Sequence, residues 1–511
     1  MKRYVGARYV PKFMGQYNET TKYEALSVVD NGEGTSYISN KPTPAGTPLN
    51  NTEYWTVYGS TNGAIVDIQE RLSKIEMVVK TPFMYGGVGD GLTDDTVAIQ
   101  ACIGNGSVID LCGKTWRITD CLNFDRKSFI EIKNGKIIHD AGTTHNTIYG
   151  HDCYCIYVHD IEFNANGNDP NATYVWPDNN QAAVLLGRSS RVVVERNKFS
   201  NYYYGVCILT AAEHMSTNSD SMRSYNGAVN QNYFENCGSC IDLYGKTLDI
   251  GFNTFDSITP RFPLVQIEPV GAAIDPSNPI DEDYDSSGFN VNIHDNYFLN
   301  ITTERCIKIH NHAAATKINN NLFINFYYAI DIDNAVANEI SDNIFMHQVK
   351  ATLDAGTPNP RSNPPQCIYA REGDIKNNSF YDINSGVYVA GNYSQDYSVR
   401  VTDNYFDGVH VSAILEYIDG TIDSDVAKLY CKGNIIKNVP DHDDADLDYF
   451  IRAISIERGT AIIKDNIIET EGKAIRSYSN AYSLIQNTLC SNPPTETIAP
   501  MTGFTNFNNL P

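Results

Sequence analysis

One pattern of apolar and polar positions recurs along most of this chain: an apolar residue, two others, an Asn, any residue, then Phe, Ile or Leu. It is clearest at Val194/Asn197/Phe199, Val229/Asn232/Phe234 and Ile250/Asn253/Phe255. It returns at Asn296/Phe298, Asn321/Phe323, Asn343/Phe345, Asn378/Phe380 and Asn404/Phe406, with weaker copies at Asn434/Ile436, Asn466/Ile468 and Asn487/Leu489. Successive Asn residues lie 35, 21, 43, 25, 22, 35, 26, 30, 32 and 21 residues apart. The floor near 21 is one repeat, and the excess is insertion. Such a period predicts a parallel β-helix, whose short strands send alternate residues into a narrow core. An Asn at a fixed turn tolerates left-handed backbone, and its amide can stack from coil to coil. The Asn residues are therefore read as structural. Earlier coils are visible at Ile130/Ile132 and Ile156/Val158, followed by Ile137 and Phe163.

After most of these turns comes a strand of the form small, apolar, X, apolar, Y. The small position reads Gly205, Cys240, Cys306, Ala329, Cys367, Gly386, Ala453 and Ala474, an inward column in which Cys and Ala interchange. X and Y are expected to point outward in two parallel rows about 4.8 Å apart per coil. The rows read Asp242/Tyr244, Gln266/Glu268, Lys308/His310, Asp331/Asp333, Tyr369/Arg371 and Tyr388/Ala390, then Ser455/Glu457 and Arg476/Tyr478. Insertions at 209–228, 269–288 and 350–366 border this strip, and an earlier one carries Tyr174 and Trp176. Loops walling one strip of a rigid scaffold make a groove, where aromatics can stack on sugars.

The front of the chain follows different periods. Residues 1–60 alternate short apolar runs with Gly and Asn turns around Tyr17, Tyr23, Tyr37 and Trp55, which predicts a small β module. Residues 61–80 place Ile65, Ile68, Leu72, Ile75 and Val79 at 3-4-3-4 spacing, the seam of a coiled coil, here read as a trimeric neck. Between neck and coils, Tyr85–Thr96 reads YGGVGDGLTDDT. Thr93 is the expected N-cap of a helix opening with Asp94 and Asp95, whose Val97, Ile99 and Ile103 would cover the first coil. Residues 491–511 form a C-terminal cap or tail.

Composition narrows the function classes. A net charge of −23 argues against nucleic acid, which needs clustered Lys and Arg. No apolar run is long enough to span a membrane, and Met1–Arg8 is basic without a hydrophobic signal segment. The 12 Cys are scattered, and Cys153/Cys155 and Cys237/Cys240 lack a matching pair at zinc-site spacing. They read as reduced, buried small apolar residues, in a protein made in a reducing cytosol.

The Gly-Asp-Gly-x-Thr-Asp-Asp-Thr segment at 89–96, followed by helix and Asn-rich coils, resembles the pectate-lyase-like β-helix superfamily, and within it phage tailspike depolymerases. The resemblance spans 82 to about 490. It implies an all-β, right-handed parallel β-helix with an N-terminal capping helix, preceded by the small module and neck, and trimeric. The motif marks the cap; no cofactor is expected, with Asp90, Asp94 and Asp95 the one place for a structural calcium. The front 45 residues or so resemble small chitin-binding-type modules, in which a Tyr and a Trp stack on sugars. Aromatics serving as the module's own core, or a particle-attachment role, remain open alternatives.

Glycoside hydrolysis needs a carboxylic acid and a second carboxylate as base or nucleophile. Asp331 and Asp333, roughly 6–7 Å apart on one strand, and Glu268, two coils away at about 9–10 Å, approach the spacing of inverting hydrolases. Lys308 and His310 would orient hydroxyls, Arg371 would bind an acidic sugar, and Asp242, Tyr244, Tyr369 and Trp176 complete the substrate contacts. A lyase would instead use Lys308, His310 and Arg371 beside Tyr369. The paired aspartates of polygalacturonases are absent, and Arg305-Cys306-Ile307-Lys308 only faintly echoes their Arg-x-Lys element. The expected protein is a homotrimeric virion tailspike that attaches to a phage tail or baseplate through its N-terminal region. It would bind, and by hydrolysis cleave, a bacterial surface polysaccharide; the rivals are a non-enzymatic receptor-binding fibre and a lyase.

Overall fold

The computed structural model describes residues 11–32, 35–60, 78–140, 146–166, 182–208, 224–243, 245–256, 260, 262–267, 290–309, 315–332, 338–349, 366–391, 397–418, 427–439, 452–470, 474–486 and 488–490. The chain divides into two units, Met1–Met77 and Val78–Pro511.

In the first unit, β1 (Lys12–Gln16), β2 (Ser27–Asp30), β3 (Thr35–Ser39) and β4 (Trp55–Ser60) form a sheet in that order. The first pair is parallel and the others antiparallel. Trp55 and Tyr23 are buried, with ring centroids 5.4 Å apart, and Tyr17 closes on both at 6.0 Å. The indole of Trp55 donates to the Thr47 carbonyl at 3.3 Å. These rings make the module's core, so neither Trp55 nor Tyr23 offers a face for a sugar to stack on. Of the expected neck, 61–77 lies outside the described residues. Residues 78–80 are strand rather than helix: Val78–Lys80 pairs in parallel with Ser107–Ile109.

In the second unit thirty-five strands among the described residues form one continuous ladder, and all its recorded pairings are parallel between neighbouring coils. This is a parallel β-helix with three faces. Strands before the ladder Asn form the first face, as in Ser190–Glu195 against Ser224–Asn230; those just after it form the second, as in Lys198–Ser200 against Tyr233–Glu235. The third face stacks Tyr204–Ile208, Ser239–Leu243 and Val265–Ile267.

Asn197, Asn232, Asn253, Asn296, Asn321, Asn343, Asn378, Asn404, Asn434 and Asn466 form one internal ladder. At Asn321, the backbone N–H and the side-chain Nδ2 both donate to Oδ1 of Asn343 at 2.9 and 3.0 Å. Nδ2 also donates to the Ile293 carbonyl at 2.9 Å, one coil back. A carboxylate lacks the donors, which is why this buried position needs an amide. The left-handed residue is the one before each Asn: Arg196, Gln231, Asp295, Asn320, Asp342, Asn377, Asp403 and Asp465 all have positive φ, and the ladder Asn residues do not. The Asn is therefore chosen for its hydrogen bonds rather than for its backbone freedom. Asn487 lies outside the described residues.

Nine Phe from Phe163 to Phe406 stack down the core, eight of them two residues beyond a ladder Asn and Phe163 two beyond Ile161, with ring centroids 4.4 to 5.2 Å apart and planes within 16°. The small column faces this stack, with Leu264 and Ala413 interposed by register. A methyl on Gly205 would meet the Phe234 ring at 2.6 Å, and one on Gly386 the Phe406 ring at 2.5 Å. Eleven described Cys are free thiols, eight of them buried.

The expected helix is present as α1 (Thr96–Cys102), shifted from its predicted start. Asp95 is its N-cap residue, and Thr93 belongs to the strand Asp90–Asp94. The reason is local hydrogen bonding. The Asp95 carboxylate accepts from Val88 N and Gly89 N at 2.7 and 3.0 Å, tying down the glycine turn. Ile99 and Cys102 join the main core, whereas Val97 is exposed. Asp90 accepts from Leu92 and Thr93, and Asp94 from Thr96 and Thr119. The three carboxylates are thus engaged by protein donors. Among the described residues no three His, Cys, Asp or Glu side chains are grouped to hold a metal ion, and no helix is long and apolar enough to cross a membrane.

Candidate functional site

Strand register on the third face places the X residues in one line. Tyr149, Leu185 and Cys207 lead to Asp242, Gln266, Lys308 and Asp331, then Tyr369, Tyr388, Leu415, Ser455 and Arg476. Two apolar clusters bracket the polar members: Leu185 and Cys207 with Ala182, Tyr149 and Tyr204 on one side, Tyr388 and Leu415 with Ala390 and Tyr369 on the other. Between them lies a polar island four coils long, about 14 Å from Asp242 to Asp331 at one strand spacing per coil.

The island is not the open strip expected from the alternation. Asp242, Gln266 and Asp331 are buried, as are Tyr388, Leu415 and Ser455. Outward residues of a strand are exposed only where nothing packs on them, and the downstream members pack on each other: Tyr369 and Tyr388 stack 5.5 Å apart at 13°. Asp242 stands three coils from Asp331, beyond the roughly 9.5 Å upper limit for two cooperating glycosidase carboxylates.

Asp331 is the centre of the contacts. The Arg305 guanidinium Nε donates to its Oδ2, and Lys308 Nζ lies 4.0 Å from the same oxygen. Arg305 also donates to Glu304 at 2.7 Å and sits 5.4 Å over the Tyr328 ring. Burial by itself would lower the Arg305 pKa, but the negative charges of Asp331 and Glu304 outweigh it and raise the value. Burial raises the Tyr328 phenol. Downstream, Arg371 donates to the Tyr369 hydroxyl at 3.3 Å and lies 6.0 Å over its ring.

Lys308, Asp331, Tyr369 and Arg371 are therefore brought together, and Asp242 stands apart. Glu268, Asp333, Tyr244, His310, Trp176 and Tyr174 lie outside the described residues. Their neighbours Ile267, Ile309 and Ile332 are in register on consecutive coils. Arg305 and Tyr328 were missed as site residues, because both precede the small inward position from which the repeat was read. Arg305 could have been found as a cation one place before that column whose next-coil X residue is a carboxylate, Asp331, whereas Arg452 in the same place is followed by Arg476. Also missed is Glu416, buried at a position whose neighbours one coil either way are Val389 and Ile456 of the core.

No family model matches the chain, and no curated protein matches it. Among solved structures, the catalytic unit of an α-1,3-glucanase from Streptomyces thermodiastaticus is 13% identical, with 82% of this chain and 70% of that one covered at a TM-score of 0.49. The Dettilon tailspike protein is 14% identical, covering 78% and 68% at 0.42. An exopolygalacturonase from Thermotoga maritima is 12% identical, covering 83% and 95% at 0.36. These likenesses concern the coil architecture alone.

Proposed function

We propose that this chain is a phage tailspike subunit that binds and depolymerises a bacterial surface polysaccharide, with glycoside hydrolysis as its chemistry. The observation that carries the reading is the polar island on the third face. There a carboxylate, an arginine and a lysine converge on neighbouring coils beside stacked tyrosines, a combination suited to sugar hydroxyls and ring faces. Asp331 takes one of the two carboxyl roles, and Asp333 or Glu268 supplies the other. Arg305 and Lys308 hold Asp331 in place and offer charge-assisted hydrogen bonds to the sugar hydroxyls. The subunit would assemble as a homotrimer on the virion and join the tail through its N-terminal region. Supporting that assembly, Val79, Phe83, Met84, Leu92 and Val97 remain exposed near the start of the β-helix, next in sequence to the apolar seam.

A second reading, a receptor-binding fibre that holds the glycan uncut, draws on one specific observation. Among the described residues Asp331 is engaged by cations, and its nearest fellow on the row, Asp242, is three coils off.

The test is incubation of the purified chain with capsular and surface polysaccharides, reading new reducing ends and the ultraviolet absorbance of unsaturated uronates. Reducing ends without absorbance are expected. Absorbance would replace hydrolysis with elimination and move attention to Lys308, His310 and Arg371. Binding without either product would leave the fibre reading standing.

A further inference from the structure

The first face carries a second feature that the site on the third face does not use. Over its earlier coils, charges on this face are matched: Lys133 and His159 with Glu131, Arg196 with Asp160, His294 with Asp249, Lys376 with Glu339. The balance then breaks. Lys428, Lys432 and Lys464 form no ion pair with a described carboxylate, and Arg400 reaches Asp374 only at 3.9 Å. Lys432 and Lys464 stand directly opposite each other on adjacent strands, a like-charge pairing that costs stability unless an anion sits between or above them.

The break coincides with a concavity. A groove of about 840 Å³ opens here, lined by four cations, Lys376, Arg400, Lys428 and Lys432, by two carboxylates, Asp374 and Asp403, and by Tyr430, with Lys464 outside the lining on the strand next to Lys432. Tyr430 stands between Arg400 and Ile462 on successive coils, so a ring face runs alongside the cations. On a chain of net charge −23 this concentration is not the average surface. The distant negative charge would slow approach of a polyanion, but at physiological salt it is screened beyond about 8 Å, leaving the local cations to act at contact.

We propose that this groove binds the anionic groups of an acidic polysaccharide, at a site separate from the polar island. Lysine and arginine side chains spaced by the coil repeat would meet charged groups spaced along a glycan, with Tyr430 against a sugar face. The inference goes beyond the reading of the third face and stands whether or not that face cleaves.

The experiment is affinity electrophoresis of the full chain in gels containing polygalacturonate, dextran sulfate or neutral dextran, at low and at physiological salt. Retention by at least one polyanion, weakening with salt, and none by dextran are expected. Retention by polygalacturonate alone assigns carboxylates as the ligand groups, and by dextran sulfate alone assigns sulfates. The double variant Lys432→Glu/Lys464→Glu, two surface changes checked by an unchanged melting temperature, should weaken retention roughly tenfold. Asp331→Asn should be retained like the wild type. Undiminished retention of the double variant overturns the proposal, as does no retention of the wild type by either polyanion. A loss confined to Lys308→Glu, which reverses the cation beside Asp331, would overturn it too, placing the anion on the third face.

Discussion

Arg305 reaches across one coil to Asp331, its Nε donating to the carboxylate Oδ2 that Lys308 also faces at 4.0 Å. Asparagine at 331 keeps the shape and removes the charge. Asp331→Asn is expected to lower turnover by about 10²–10⁴ while glycan binding stays within a few-fold. Reducing-end release and gel retention on the same preparation check this. Undiminished turnover would move the chemistry off this residue.

The ladder offers a stability test. Asn321→Ala removes the acceptor for both the N–H and the Nδ2 of Asn296, at 3.0 and 2.9 Å, and leaves them buried. With each orphaned donor costing about 1–3 kcal/mol, a loss of roughly 2–5 kcal/mol is expected, read as a lower urea midpoint. Lys317→Ala, on the surface nearby, should move the midpoint far less. Equal shifts would remove the ladder from the account.

Gly386→Ala tests the packing of the small column. The added methyl would press on the Phe406 ring at 2.5 Å with backbone behind it, so a loss of about 1–3 kcal/mol is expected. Cys367→Ala, at the neighbouring coil of the same column, only trims volume. A melting curve in which Gly386→Ala is the milder change would contradict the close fit.

Acid should destabilise the first face in a defined direction. Asp160 lies below the usual carboxylate range chiefly through its bond from Arg196, and Glu339 through its bond from Lys376. Burial would raise Glu131, but bonds from Lys133 and His159 outweigh it and lower the value. Their folded pKa values lie below the unfolded ones, so the unfolded chain binds more protons as pH drops. The contribution is full above the unfolded value of about 4 and disappears as pH falls through the folded values. Urea midpoints should therefore fall below about pH 4, and less steeply in Arg196→Ala. A midpoint that rose on acidification would refute the assignment.

Thiol chemistry gives a fifth check. Burial pushes Cys102 up to about 11 and Cys121 to about 12, and it raises Cys207, Cys240, Cys306, Cys367 and Cys431 as well. Since the thiolate is the reacting form, a thiol reagent near neutral pH should label these seven slowly in the native chain and all 12 Cys once it is unfolded. Rapid labelling of Cys306 or Cys367 in the native protein would mean that the column is not closed.

Most of the fold was legible because one constraint repeats. A strand period of two and a compulsory amide at each turn write Asn197 to Asn466 and Phe163 to Phe406 into the sequence with little freedom. Hydrogen-bond geometry was less legible. Nothing in the spelling of Thr93-Asp94-Asp95 announces that Asp95 will accept the Val88 and Gly89 amides and move the helix start, or that Phe252 rather than Asn253 will carry positive φ. The site was half legible. Register alone aligned Lys308, Asp331 and Tyr369, but alternation says only which way a side chain leaves its strand. It does not say what covers it, and so Asp242 and Tyr388 were expected in the open and are buried. Arg305 escaped because it sits at the corner, where alternation lapses.

The intervals between ladder amides have a consequence for how such a molecule can change. Asn232 and Asn253 are 21 residues apart, Asn253 and Asn296 are 43, and each pair is joined by the same single hydrogen-bonded step. Contour length and axial length are therefore uncoupled. A coil can double its residue count without advancing the rod, so the outer surface is free to be rewritten for a new ligand while the amide spine keeps its pitch. The molecule behaves as a fixed ruler carrying interchangeable text.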